Sequence, residues 1–154
     1  MSNHSNTLTM RAPSKTIALA LPTMHVVFRV GAGFLFLQHG VQKLFGLLGG
    51  VDGAGATVPL FSLFGAAGVL ELFGGLLIVL GLLTRPVALL LALEMVTAYF
   101  MAHVPQGGFP IQNGGELALL YALIFALLSS AGAGGWSIDR LLRISDQSSM
   151  NNDR

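Results

Sequence analysis

The chain has no cysteine among its 154 residues. That excludes disulfides, thiol redox chemistry and iron–sulfur ligation by this chain itself. Charge is also scarce. Asp, Glu, Lys and Arg make up 10% of the residues while hydrophobic residues make up 53%, against about 25% charged in ordinary soluble domains. A compact water-soluble domain of this size would lack the polar surface to solvate itself. The net charge of +1 and the absence of a basic stripe exclude nucleic acid as a partner.

Long apolar runs take the place of that polar surface. A membrane-spanning helix needs about 20 mostly apolar residues, and four segments qualify: 22–44, 60–83, 86–103 and 115–131. The expected fold is all-α, an integral membrane four-helix bundle over residues 21–143. A polar cytoplasmic tail (1–20) precedes it and a disordered polar tail (144–154) follows. The short run IALALP has no convincing cleavage site after it, so it reads as the approach to the first span rather than a removed signal. Thr84-Arg85 reads as a tight turn, which makes spans two and three antiparallel neighbours. Pro86 suits a first helical turn, where its missing N–H is not needed.

Lys and Arg near the span ends set the orientation. Arg11, Lys15, Arg85, Arg140 and Arg143 collect on one side and only Lys43 on the other. Both termini and the Thr84-Arg85 turn are therefore expected in the cytoplasm, with the two longer loops outside. The location implied is a bacterial inner membrane.

Several side chains resist this oily setting. A charge at mid-bilayer costs about 2.5–3.5 kcal/mol on insertion scales, so such residues face the bundle interior and pair. At 1.5 Å per residue, Arg29 lies roughly 10 Å, Glu94 roughly 12 Å and Glu71 roughly 18 Å from the inner ends of their spans. An Arg side chain bridges the difference, so Arg29, Glu71 and Glu94 are expected as one intramembrane polar cluster. His39, Gln42, Lys43, His103, Asn113 and Glu116 are expected as an outer-side pocket near the headgroup boundary. Gly68 and Gly75 share a face with Glu71, and Gly33 and Gly40 share a stripe with Arg29, Phe36 and Lys43. These four glycines are the expected close-packing positions between helices. The plain alternative is that the charges only neutralise one another and fix helix register, and that His103 and Lys43 merely snorkel.

Other motifs carry little. GGVDGAGA has the composition of a phosphate loop but not the GxxxxGK[ST] pattern. No nucleophile–base grouping can be located, and the histidines are too scattered for a metal motif.

Three stretches together resemble the DoxX family of small bacterial inner-membrane proteins: RVGAGFLFLQHGVQKLFG, GVLELFGGLLIVLGLLTRPVALLLALEM and PIQNGGELALLYA. The resemblance covers about Met24 to Leu142. It implies a four-helix membrane bundle, in agreement with the independent span count. Some relatives look like subunits or partners of respiratory or sulfur-oxidising oxidoreductases that use quinones. Others look like partners of periplasmic or antioxidant redox systems. The motif positions carried over are Arg29, His39, Gly40, Lys43, Glu71, Gly74, Gly75, Asn113, Gly114, Gly115 and Glu116. Thiol-dependent roles cannot be performed by this cysteine-free chain alone.

The first functional expectation is an accessory subunit of a quinone-linked membrane redox system. Quinone is the candidate ligand, and no cofactor is certain from the sequence. His39, Gln42, Lys43 and Asn113 would offer hydrogen-bond donors and Glu116 would exchange a proton with outside water. Candidate partners are the lipid bilayer, a redox partner protein and further copies of the chain. A second expectation, of another class, is a small proton-coupled transporter or channel, with Glu71 and Glu94 as protonatable groups and Arg29 as counter-ion. A third is a membrane scaffold with no chemistry of its own. A weaker fourth is haem ligation by His39 and His103.

Overall fold

The computed structural model describes residues 15–143, with side chains from Ala20 onward. The expected tails at 1–14 and 144–154 lie outside the described residues. In chain order the elements are α1 (Lys15–Phe45), a 3₁₀ turn (Leu47–Gly49), α2 (Leu63–Leu80), α3 (Thr84–Ala98), a π turn (Tyr99–His103), a second 3₁₀ turn (Val104–Gln106), α4 (Pro110–Asn113) and α5 (Glu116–Ala131). A last short helix, α6, covers 138–143. Among the described residues there is no strand. Three helices are long and apolar enough to cross a membrane: Ala20–Phe45, Leu63–Leu80 and Thr84–Gln106. The fourth, Glu116–Ala131, is shorter and spans roughly 24 Å at 1.5 Å per residue.

The chain is an all-α membrane protein whose polarity pattern is that of a lipid-exposed bundle. Phe34, Leu35, Phe73, Leu89, Leu93, Phe100, Leu120, Leu123 and Leu127 point outward and are exposed. The core is narrow. Phe36, Ile78, Leu91, Phe125 and Leu128 are fully buried and join all four long helices. Phe36 meets Phe125 edge-on, with ring centroids 4.7 Å apart, and meets Tyr121 at 5.0 Å.

Glycine sets how close α1 and α2 come. A Cβ on Gly33 would lie 2.9 Å from the Gly75 carbonyl, and one on Gly40 would lie 2.6 Å from the Gly68 carbonyl. With no hydrophobic drive between helices in lipid, such close backbone contact is a main source of association. It also fixes an antiparallel register. Gly33 lies against Gly75 and Val79, and Gly40 against Gly68 and Leu72. Continued along both helices, that register puts Glu71 opposite His39 and Arg29 opposite Gly81.

The α2–α3 turn differs from expectation. Thr84 and Arg85 already belong to α3, and the turn is Gly81-Leu82-Leu83. Gly81 is left-handed (φ 67°), and the Leu82 N–H returns to the Leu77 carbonyl at 3.0 Å, a Schellman ending. Leu83 is also left-handed (φ 50°), which is unusual for a residue with a Cβ. Asp139 of α6 holds it there, accepting from the Leu83 N–H at 2.7 Å and the Thr84 N–H at 3.0 Å. The N-terminus of α3 is thus capped by a residue 55 positions away.

Candidate functional site

α1, α2, α3 and α5 enclose a cavity of about 230 Å³, toward the end of the bundle where α1 finishes. Its polar lining is His39 and Lys43 from α1, Glu71 from α2, His103 after α3 and Tyr121 from α5. Phe36, Met95, Ala98, Leu117 and Ala118 supply the apolar walls.

The backbone brings these groups together by a local irregularity. From Tyr99 to His103 the α3 helix widens into a π turn, and the Val104 N–H returns to the Tyr99 carbonyl. Such turns insert an extra residue and re-aim the side chains that follow. Here His103 is aimed at the start of α5, its Nδ1 3.0 Å from the Asn113 carbonyl. A carbonyl can only accept, so Nδ1 carries the proton, and in the neutral ring Nε2 is an acceptor.

Lys43 and Glu71 form an ion pair in which the lysine Nζ donates to Glu71 Oε1. The Lys43 side chain therefore bends inward rather than snorkelling to the headgroups. Glu71 Oε2 is buried without a donor, and so are both carboxyl oxygens of Glu94. Glu94 lies one turn along α3 from the cavity-lining Ala98 and feels the charges of both Glu71 and Lys43. One lysine therefore faces two carboxyl groups, and three acceptor oxygens await a donor. Tyr121 and His39 make no hydrogen bond with the described residues, and the His39 ring stands edge-on to Tyr121 at 5.8 Å.

The expected Arg29–Glu71–Glu94 layer does not form. Arg29 is buried, and it donates to the Ile78 and Val79 carbonyls at the end of α2 (2.7 Å to Val79) and to the Trp136 carbonyl at 2.6 Å. The physical reason is the register. α1 starts at Lys15, well before Pro22, and α2 stops at Leu80, so Arg29 meets the last turn of α2 rather than its middle. A cation there adds a donor to the last-turn carbonyls, of which Ile78 is shared with the Gly81 N–H, and lies at the negative end of the helix dipole. Glu71 and Glu94 share one site, with Lys43 in the place expected of Arg29.

The expected outer pocket is also rearranged. His39, Lys43 and His103 line the cavity; Gln42 and Glu116 do not. Glu116 opens α5 with its side chain exposed. Asn113 is committed to the fold: its amide donates to the Gly107 carbonyl at 2.9 Å and its Oδ1 accepts from the Gly115 N–H at 2.8 Å. Sequence reasoning missed Tyr121, whose only signal was a polar hydroxyl on the buried face of span four. It also missed Asp139 and His25, whose Nε2 lies 2.9 Å from the Gly132 carbonyl.

GGVDGAGA proves to be a self-contained loop. Asp52 Oδ1 accepts from the Ala54 N–H at 2.8 Å and the Ala56 N–H at 3.0 Å. Those bonds hold its carboxyl below the usual aspartate range.

Comparison with known proteins agrees with the fold. The family model for DoxX matches residues 24–104. An uncharacterised protein of Haemophilus influenzae is 39% identical over 125 residues, covering 77% of this chain and 90% of its own length. An uncharacterised membrane protein of Mycobacterium tuberculosis is 34% identical over 136 residues, covering 79% of this chain and 82% of its own. A Bacillus subtilis protein named "Putative oxidoreductase CatD" is 30% identical over 115 residues, covering 74% of this chain and 83% of its own. No solved structure matches the chain.

Proposed function

The chain belongs to the DoxX family, and we propose that it is an accessory membrane subunit of a redox system whose cavity seats a quinone headgroup. The observation that carries this reading is the cavity itself. It combines apolar walls from Phe36, Met95 and Leu117 with unspent donors on Lys43 and Tyr121. Small-ligand sites generally have this character, mostly apolar with a few placed polar groups. The oxidoreductase name of the Bacillus subtilis relative supports the same direction.

Quinone reduction takes two electrons and two protons. With no cysteine the chain cannot ligate an iron–sulfur cluster, and in this reading the electrons come from a partner protein. The residues here would bind, orient and deliver protons. Lys43 and the Tyr121 hydroxyl donate to the carbonyl oxygens. His103 Nε2 accepts from a quinol hydroxyl. Glu71 and Glu94 hold a proton in reserve within the bundle. In this reading His39, Lys43 and His103 work together with Glu71, and Glu94 lies beside them.

We further infer the orientation from the Lys and Arg distribution, with the α2–α3 turn and both termini in the cytoplasm of a bacterial inner membrane. Reporter fusions after Asp52 and Gly107 should read outside, and fusions after Arg85 and Arg143 inside. A cytoplasmic signal at Gly107 would overturn that topology.

Purification in a mild detergent tests the function. A quinone in the organic extract at near one per chain, lost in Tyr121→Phe/Lys43→Met, supports the reading. A quinone-free protein that moves protons across liposomes would replace it with proton-coupled transport, for which the donor-poor Glu71–Glu94 pair is the supporting feature.

A further inference from the structure

The end of the bundle opposite the cavity carries a second arrangement that the redox reading does not use. A pocket of about 170 Å³ lies between the start of α3 and the α5–α6 segment, and Arg85, Arg140 and Arg143 line it with Ser137 and the Gly132–Gly134 backbone. Asp139, the carboxylate in its lining, is already spent on the Leu83 and Thr84 N–H groups. Arg140 uses one nitrogen on the Gly135 carbonyl, at 3.1 Å. Arg85 makes no hydrogen bond or ion pair with the described residues. Three guanidinium groups therefore converge with at most one compensating charge.

An apolar groove of about 570 Å³ adjoins this pocket, and the two share Ser137 and Arg140. Leu80, Trp136, Ile138 and Leu141 line the groove. Trp136 is 83% exposed although its carbonyl is held by buried Arg29, and Leu141 is 67% exposed. A tryptophan and leucines facing outward beside arginines at a span end are the pattern of a helix lying in the bilayer interface.

We propose that this paired surface binds one anionic phospholipid, its phosphate held by Arg85, Arg140 and Arg143 and an acyl chain lying along Leu80, Trp136 and Leu141. Charge selects the headgroup, since basic pockets between spans take anionic lipids. Continuity of the pocket with the groove selects a lipid over a free anion. The site would tie α6, and with it the Asp139 cap on α3, to the membrane.

Native mass spectrometry of the full chain in a mild detergent tests this, with phosphatidylglycerol, phosphatidylcholine and inorganic phosphate titrated separately. Phosphatidylglycerol should stay bound at several-fold higher occupancy than phosphatidylcholine. Each arginine removed should lower its affinity about fivefold. Arg85→Gln and Arg143→Gln serve as probes because neither guanidinium hydrogen-bonds the described fold, and far-UV circular dichroism checks that they remain folded. Equal retention of the two lipids would overturn the proposal. So would undiminished phosphatidylglycerol binding in the Arg85→Gln/Arg143→Gln variant. Inorganic phosphate binding as tight as the lipid would show an anion site with no chain in the groove, and would overturn it too.

Discussion

Lys43 donates to Glu71 across the α1–α2 interface, and the two partners are unequally buried. The lysine side chain is 23% exposed and the glutamate 3%. Loss of either is therefore felt differently. Lys43→Met strands a buried carboxylate, which costs about 3–5 kcal/mol for a buried pair. Glu71→Gln frees a lysine that can turn toward the boundary, and should cost about 1 kcal/mol or less. Thermal unfolding in one detergent reads both variants. The Lys43→Met/Glu71→Gln double variant should be more stable than Lys43→Met alone.

Arg29 belongs to a different unit. Arg29→Met leaves the carbonyls of Val79 and Trp136 without their donor, while Ile78 keeps only the Gly81 N–H. At about 1.5–3 kcal/mol per hydrogen bond to a charged group, the loss should be about 3 kcal/mol or more. Hydrogen exchange should rise over residues 132–143, while the cavity is unaffected. Arg29→Met and Glu71→Gln should be additive, because separated sites with no shared partner do not couple.

Much of this arrangement was legible before the structure. The long apolar runs marked the helices, and the glycine stripes marked close-packing faces without saying which helix would meet which. The acids at Glu71 and Glu94 stood out because charge in oil is rare. The pairing was not legible, because depth was counted from estimated helix ends: α1 runs past the end of α2, so Arg29 stands level with the last turn of α2 and Lys43, about four turns further along α1, reaches Glu71. The π turn at Tyr99–His103 leaves no hydropathy signal. Nor does the Asp139 cap, which joins a polar residue after the last span to the start of α3 and can only be seen once the chain is folded.

Asp139 predicts an acid limb in stability. Burial pushes its carboxyl up, but the N–H groups of Thr84 and Leu83 outweigh that and hold it below its usual value of 3.8. A depressed folded value means the contribution is full above the unfolded value and disappears as pH falls through the folded one. Stability from this cap should therefore hold down to about pH 4 and decline below it. Asp139→Ala should remove that decline and cost about 0.5–2 kcal/mol at neutral pH, the range for a lost cap. Unfolding midpoints from pH 7 to pH 3 check both statements.

Two glycines on α1 should behave oppositely. A Cβ at Gly40 would collide with the α2 backbone, whereas nothing lies within 4 Å of one at Gly31. Gly40→Val should separate α1 from α2 and abolish accumulation of the folded protein. Gly31→Ala should be neutral or stabilise by up to about 1 kcal/mol, as expected for glycine replacement inside a helix. Expression level and unfolding midpoint distinguish them.

The central claim is that the cavity among His39, Lys43, Glu71, His103 and Tyr121 is a quinone site. Photolabelling of the purified protein with an azido-quinone, followed by peptide mapping, tests it most directly. The account predicts saturable labelling on the α1 segment around His39 and the α5 segment around Tyr121, competed by unlabelled quinone and lost in Tyr121→Phe/Lys43→Met. Labelling that does not saturate, or that spreads over outward residues such as Phe73, Leu93 and Leu123, would contradict it.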